Sequence, residues 1–199
     1  MNLSDQLKNM HTNHKFFSVK ERKALLKKLF LAICENEHNI IQALQQDLRK
    51  SEFEAYACEI AFIKHEIKQA VKNLNSWAAE QHISTPLAFM PAHSFIKIMP
   101  KGLVLILAPW NYPFLLSLVP FIGALAAGNS IVLKPSELAS KSAEIIKNII
   151  KSCFDENHFY VALGDVLVAK ELLNYPFDHI FYTGNTVVGK EVMKAAAEN

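Results

Sequence analysis

Apolar positions recur every three to four residues through the first eighty residues. Beyond residue 100 they gather into short unbroken runs separated by such stripes. The first pattern predicts amphipathic helices, the second buried strands alternating with helices. Ser18-Val19-Lys20-Glu21 is a capping box, and Leu25, Leu26, Leu29, Phe30 and Ile33 follow at helical spacing. Ile40, Ile41, Leu44 and Leu48 carry a second helix. Ser51 with Glu54 reads as another capping box. It opens a stripe of Phe53, Ala57, Ile60, Ile63, Ile67, Ala70, Leu74 and Trp77, a helix of about seven turns at 3.6 residues per turn.

Between residues 82 and 99 the pattern changes. Pro86 and Pro91 exclude a helix, while Phe95, Ile96 and Ile98 suggest an extended arm or hairpin. From residue 102 strands are expected near 102–107, 130–134, 159–163 and 179–182. Helices are expected near 114–127, 138–153, 165–173 and 187–197, with Ala143, Ile146, Ile150 and Cys153 on one side of the second. Strand–helix units in series imply an α/β fold with a Rossmann-like parallel sheet and right-handed crossovers. The organisation expected is one nucleotide-binding domain over 1–199: a helical part at 1–80, an extended arm at 82–99 and a β/α core at 100–199.

The run from Gly102 to Leu133 carries no charge and exceeds the ~20 apolar residues that span a bilayer. Pro109, Pro113, Pro120, Gly123 and Gly128 divide it. Its first and last pieces are short and branched, so strand, turn, helix and strand is preferred to a membrane span.

Composition alters this little. Half of the 199 residues are hydrophobic, enough for a sizeable core. A net charge of +2 with interleaved signs gives no case for nucleic acid or an anionic membrane. Cys34, Cys58 and Cys153 fit neither a zinc site nor a redox pair, which favours a reducing, cytoplasmic setting, with Cys58 and Cys153 as core residues. His11 and His14 have helical spacing for a metal, but so near a terminus an ordinary surface pair is the preferred reading, and no metal is expected. No charged-then-apolar leader is present.

In open parallel sheets ligands bind beyond the carboxyl ends of the strands. Three polar clusters fall there: Asn111 within Ala108-Pro109-Trp110-Asn111-Tyr112-Pro113-Phe114, then Lys134-Pro135-Ser136-Glu137, then Thr183 to Lys190. Asn111 interrupts the most apolar part of the chain. It either bonds its own turn or is held for a ligand. Gly184-x-Thr186-x-x-Gly189 is a shortened phosphate-loop pattern without the middle glycine, which an ordinary strand–turn–helix junction explains equally well. Lys134 alone reads as a strand end, and Glu137 alone as a residue favouring the next helix start.

Taken together, and in this order, APWNYP, KPSE and FYTGNTVVGK resemble the aldehyde dehydrogenase superfamily. NYPFLLSLVPFIGALAAGN before VLKPSE is most similar to its class 3, fatty-aldehyde branch. The resemblance implies that Asn111 is the oxyanion-hole amide. Trp110 would lie beside the nicotinamide ribose, and Tyr112 and Leu116 would line the aldehyde tunnel. Lys134 and Glu137 would contact the adenosine ribose, Gly184, Thr186 and Gly189 the pyrophosphate, and Gly164 would lie near the adenine. It implies NAD or NADP as cofactor, with NAD favoured because a carboxylate at 137 repels a 2′-phosphate. It also implies an aldehyde substrate and a homodimer for a full-length enzyme.

No cysteine here matches the family's nucleophile, and its catalytic glutamates are not found. The expectation is the N-terminal part of an aldehyde dehydrogenase, catalytic domain absent, inactive by itself. The alternative is a stand-alone nucleotide-binding module or an inactive regulatory partner.

Overall fold

Residues 2–13, 15 and 17–198 are described by a computed structural model. Strands β3 (Leu103–Leu107), β4 (Ser130–Lys134), β5 (Phe159–Val161) and β6 (His179–Tyr182) form a parallel sheet in the order β5-β4-β3-β6. Register fixes the common edge: Leu107 lies opposite Lys134 on one side and Tyr182 on the other. The expected fold class is therefore observed. β5 ends at Val161 rather than 163, because its pairing with β4 runs out at Leu133.

Alternation along β3 explains why its run is continuously apolar. Val104 and Ile106 enter one core, while Leu103, Leu105 and Leu107 enter another. The larger core receives α2 (Val19–Glu35), α3 (Glu37–Leu48), α5 (Ala61–Trp77), α6 (Pro113–Ala127) and α7 (Ser140–Cys153). The opposite face receives Leu7 and Met10 of α1 (Leu3–Thr12), Leu172 of α8 (Val166–Leu173) and Val192 of α9 (Thr186–Glu198).

The Ser18 capping box forms in both directions. At Ser51 only the forward half is present: its hydroxyl accepts from the Glu54 N–H at the start of α4 (Glu52–Ala55). The long stripe is interrupted by a π-helical turn at Tyr56–Ile60 between α4 and α5. Such a turn rotates the face that follows it. Phe53 and Trp77, at the stripe's two ends, are exposed accordingly.

The uncharged run folds as β3, α6 and β4, and α6 continues through Pro120. Gly128 ends α6 with φ +89°, where the Arg22 guanidinium leaves no room for a Cβ. Arg22 donates to the Ala126 carbonyl (3.3 Å), satisfying one of the last carbonyls of the helix. Among the described residues no helix is long and apolar enough to cross a membrane. The arm is a two-stranded antiparallel hairpin of β1 (Gln81–Ile83) and β2 (Ser94–Ile96).

Candidate functional site

The loop after β3 begins with the Ala108 N–H donating to the Lys134 carbonyl (3.1 Å). Pro113 then opens α6, as its fixed φ and missing donor suit that position. Tyr112 has no side-chain bond to cap this helix. The capping carboxylate comes instead from Glu59, fifty-five residues earlier. Its Oε2 accepts from the N–H groups of Phe114 (2.9 Å) and Leu115 (3.1 Å). Glu59 Oε1 accepts from Lys50 Nζ at 2.6 Å, and Lys50 also donates to the Asn111 carbonyl at 2.9 Å. Lys50 is 7 % exposed and Glu59 0 %. The ammonium lies 3.8 Å from the centre of the Tyr112 ring. Neither residue is singled out by sequence reading. A carboxylate between Ala55 and Ile63, four residues from each on an apolar stripe, is the signal that could have found Glu59.

Asn111 is exposed, and its carboxamide forms no hydrogen bond among the described residues. It is thus not buried among apolar side chains as the sequence suggests. The strand end carries it out of the sheet, while the apolar residues around it turn inward on β3 and α6. Trp110 beside it is 48 % exposed. Leu116, in the first turn of α6, is half-buried.

Lys134 ends β4 but is 5 % exposed, so it is no ordinary surface lysine. Its ammonium donates to Glu137 Oε2 (2.8 Å) and the Pro135 carbonyl (3.2 Å). Partial burial opposes ionisation of Glu137. Hydrogen bonds from Lys134 and from a backbone N–H outweigh it and hold the carboxyl below its usual range. Asp47 of α3 accepts from the Ser142 N–H (2.7 Å) and hydroxyl (2.8 Å), fixing the start of α7 just beyond this pair.

The third cluster lies on β6, whose extension is tied to β3 by the Thr183 N–H donating to the Leu107 carbonyl (3.1 Å). Asn185 caps α9: its Oδ1 accepts from the Val188 N–H (2.9 Å). The Thr186 and Val187 N–H groups have no hydrogen-bond partner among the described residues. Tyr182 folds back into the turn, and its hydroxyl donates to the Asn185 carbonyl (3.2 Å). A Cβ on Gly184 would lie 2.1 Å from that hydroxyl oxygen, so a larger residue there would displace the tyrosine from the turn. Gly164 follows β5 with φ +147°, close against Val168.

The Asn111 loop, the Lys134–Glu137 pair and the Gly184–Gly189 turn therefore follow three adjacent parallel strands at one end of the sheet. Gly164 follows the fourth. The cysteines lie elsewhere. Cys153 is buried on α7, and burial pushes its thiol pKa up. Cys34 and Cys58 are half-buried, so Cys58 is not the core residue expected. It falls within the π-helical turn, whose change of face brings it partly into solvent. His11 lies 6.0 Å from the Tyr175 ring, and His14 is outside the described residues.

A profile described as "Aldehyde dehydrogenase family" matches residues 7–199. The 4,4′-diaponeurosporen-aldehyde dehydrogenase of Staphylococcus aureus is 43 % identical over 205 residues, covering 100 % of this chain and 44 % of that protein. Human aldehyde dehydrogenase family 3 member B1 is 43 % identical over 178 residues, covering 89 % of this chain and 38 % of its own length. The solved structure titled "Substrate bound state of Staphylococcus Aureus AldH" superposes with a TM-score of 0.95 at 42 % identity, over 100 % of this chain and 44 % of that one. A succinic semialdehyde dehydrogenase from Streptococcus pyogenes, solved with NADP+, shares the fold at 17 % identity, with a TM-score of 0.85 over 99 % of this chain and 44 % of that one. The chain spans less than half the length of these relatives.

Proposed function

The chain belongs to the aldehyde dehydrogenase family, and from that premise we propose that it is the nucleotide-binding part of an NAD(P)-dependent enzyme oxidising aldehydes to carboxylic acids. The observation that carries this reading is the convergence of three polar clusters at one end of a parallel sheet, with an unpaired, outward carboxamide at Asn111.

The residues present fit a dinucleotide. Lys134 and Glu137 offer a donor and an acceptor side by side, suited to a ribose diol. The free Thr186 and Val187 N–H groups and the positive end of α9 suit a pyrophosphate. Gly189 and Thr186 belong to this cradle, and Gly164 flanks it toward the adenine. Trp110 offers an exposed ring to the nicotinamide ribose, while Tyr112 and Leu116 line the approach of an apolar aldehyde. An ionised Glu137 repels a 2′-phosphate, which favours NAD over NADP.

A bound NAD(P) supplies the hydride acceptor. This chain's own contribution to the chemistry is Asn111, whose NH2 donates to the aldehyde oxygen as negative charge develops there. A donor already in place costs no reorganisation at that moment. None of the three cysteines serves as nucleophile in this reading, since Cys153 is buried with a raised pKa and the others lie on helical segments that precede the sheet rather than on the loops that follow its strands. The chain alone thus binds dinucleotide without turning over aldehyde.

One test has two arms. The purified chain gives no aldehyde-dependent NADH. In an enzyme carrying this segment, Asn111→Ala lowers kcat by roughly 10²–10³ with cofactor affinity retained. Steady turnover by the chain, or an unchanged kcat in the variant, contradicts the proposal.

A further inference from the structure

We infer that the buried Lys50–Glu59 pair is the positioning device of Asn111: it holds that residue's own carbonyl and the backbone that follows it, and so anchors the loop from which its side chain projects. The inference rests on the proposed role of Asn111 for its functional meaning, but the clamp itself is a property of this chain.

Each group of the pair is fully committed to the loop. The Lys50 ammonium donates to Glu59 (2.6 Å) and to the Asn111 carbonyl (2.9 Å), and faces the Tyr112 ring at 3.8 Å. The Glu59 carboxylate accepts from Lys50 with one oxygen and from the Phe114 and Leu115 N–H groups with the other. One ion pair therefore holds the carbonyl at 111, the ring at 112 and the amides at 114 and 115. Pro113, between them, has its φ already locked. The 111–112 peptide is thus held from its C-terminal side, and the Ala108 N–H bond to the Lys134 carbonyl (3.1 Å) ties the start of the loop to the sheet; together they restrict the directions open to the Asn111 Cα–Cβ bond.

Helix capping alone does not account for this arrangement. A single carboxylate caps α6, and a solvent-exposed one would suffice. Burying a lysine as well is costly unless its donors are satisfied. Here one of them is spent on a loop carbonyl adjacent to the proposed oxyanion donor. Both partners sit in the helical region, Lys50 just after the left-handed Arg49 (φ 59°) that ends α3 and Glu59 in the π-helical turn. The precision of the loop is thus set by elements outside the sheet. Lys50 and Glu59 are positioning residues, since neither is placed to touch substrate.

The experiment is solution NMR on the full chain, comparing the parent with Lys50→Met/Glu59→Gln and with Lys50→Arg. The double variant removes both charges together, so no unpaired ion is left buried, and the introduced carboxamide would still offer a carbonyl to the two α6 amides. Hydrogen exchange at Phe114 and Leu115, whose charged acceptor becomes a weaker neutral one no longer held by the ammonium, should rise roughly tenfold. The Asn111 carbonyl carbon should lose the shift caused by the ammonium, and the 110–112 amides should broaden or double. Lys50→Arg, which keeps a cation and donors but in a larger planar fork, should raise exchange at Phe114 and Leu115 less than the double variant does. Exchange at Leu105 reports any global loss of stability. A loop that behaves as in the parent, or exchange that rises equally at Leu105 and Phe114, overturns the inference. No aldehyde enters this measurement, so failure of the catalytic reading of Asn111 leaves it intact, and the reverse also holds.

Discussion

At the scale of single residues, His158 shows what partial burial costs. Its Nδ1 is buried without a hydrogen-bond partner among the described residues, and its ring packs edge-on to Phe17 at 5.3 Å. Desolvation lowers its pKa below the ordinary 6.5; Asp155 opposes this and Lys15 reinforces it. Between the folded and unfolded values the unfolded chain binds more protons. Stability is therefore full above 6.5 and falls as the pH drops through the folded value. Urea unfolding of the parent should weaken below pH 6.5, and His158→Phe should flatten that slope. Equal slopes would contradict the account. The same scale shows what the sequence could and could not tell. Asn111 was legible because an amide stood out in an apolar run, and Lys134 with Glu137 only as part of the Lys134-Pro135-Ser136-Glu137 stretch that carries the family resemblance. Lys50 was not, because its loop partner lies 61 residues away, and Glu59 showed only as a carboxylate on an apolar stripe, with the amides it caps 55 residues on. Asn185, inside the turn, is given by the structure to the helix as a cap.

At the scale of elements, local chemistry was a good guide wherever both ends of an interaction fall within one turn. The Ser18–Glu21 box was readable for that reason. The Ser18 hydroxyl accepts from the Glu21 N–H (3.3 Å), and Glu21 accepts from the Ser18 N–H (2.8 Å). With Lys15 as the largest influence and the Ser18 bonds behind it, the Glu21 pKa falls to about 2, so the cap persists through ordinary acidity. Ser18→Ala should cost about 1 kcal/mol of stability, read as a lower urea midpoint with an unchanged slope. No change in midpoint would mean that the box contributes nothing. Strands β3 and β4 were readable because both faces are buried, which forces continuous apolar runs. The π-helical turn was not, since one inserted residue leaves the apolar period nearly intact while turning Phe53 into solvent.

At the scale of the molecule, the two cores explain why a parallel sheet can carry polar loops at one end without losing its packing. The site depends on no single element: β3, β4 and β6 supply its clusters, α3 fixes the start of α7 through Asp47, and the α4–α5 region fixes the start of α6 through Glu59. Among the exposed apolar side chains are Ile83 and Phe95 on the hairpin and Phe181 and Met193 around β6 and α9. β6 is an edge strand of the sheet, and no local sequence pattern distinguishes an exposed apolar residue there from a covered one. The central claim is that the ends of β3, β4 and β6 cradle an adenine dinucleotide. Fluorescence titration of the purified chain with NADH tests it most directly, alongside Lys134→Ala and Glu137→Gln and with NADPH as competitor. The account predicts saturable NADH binding that Lys134→Ala abolishes, with NADPH gaining ground on NADH in Glu137→Gln. Binding that is absent in the folded parent, or indifferent to both substitutions, would contradict it.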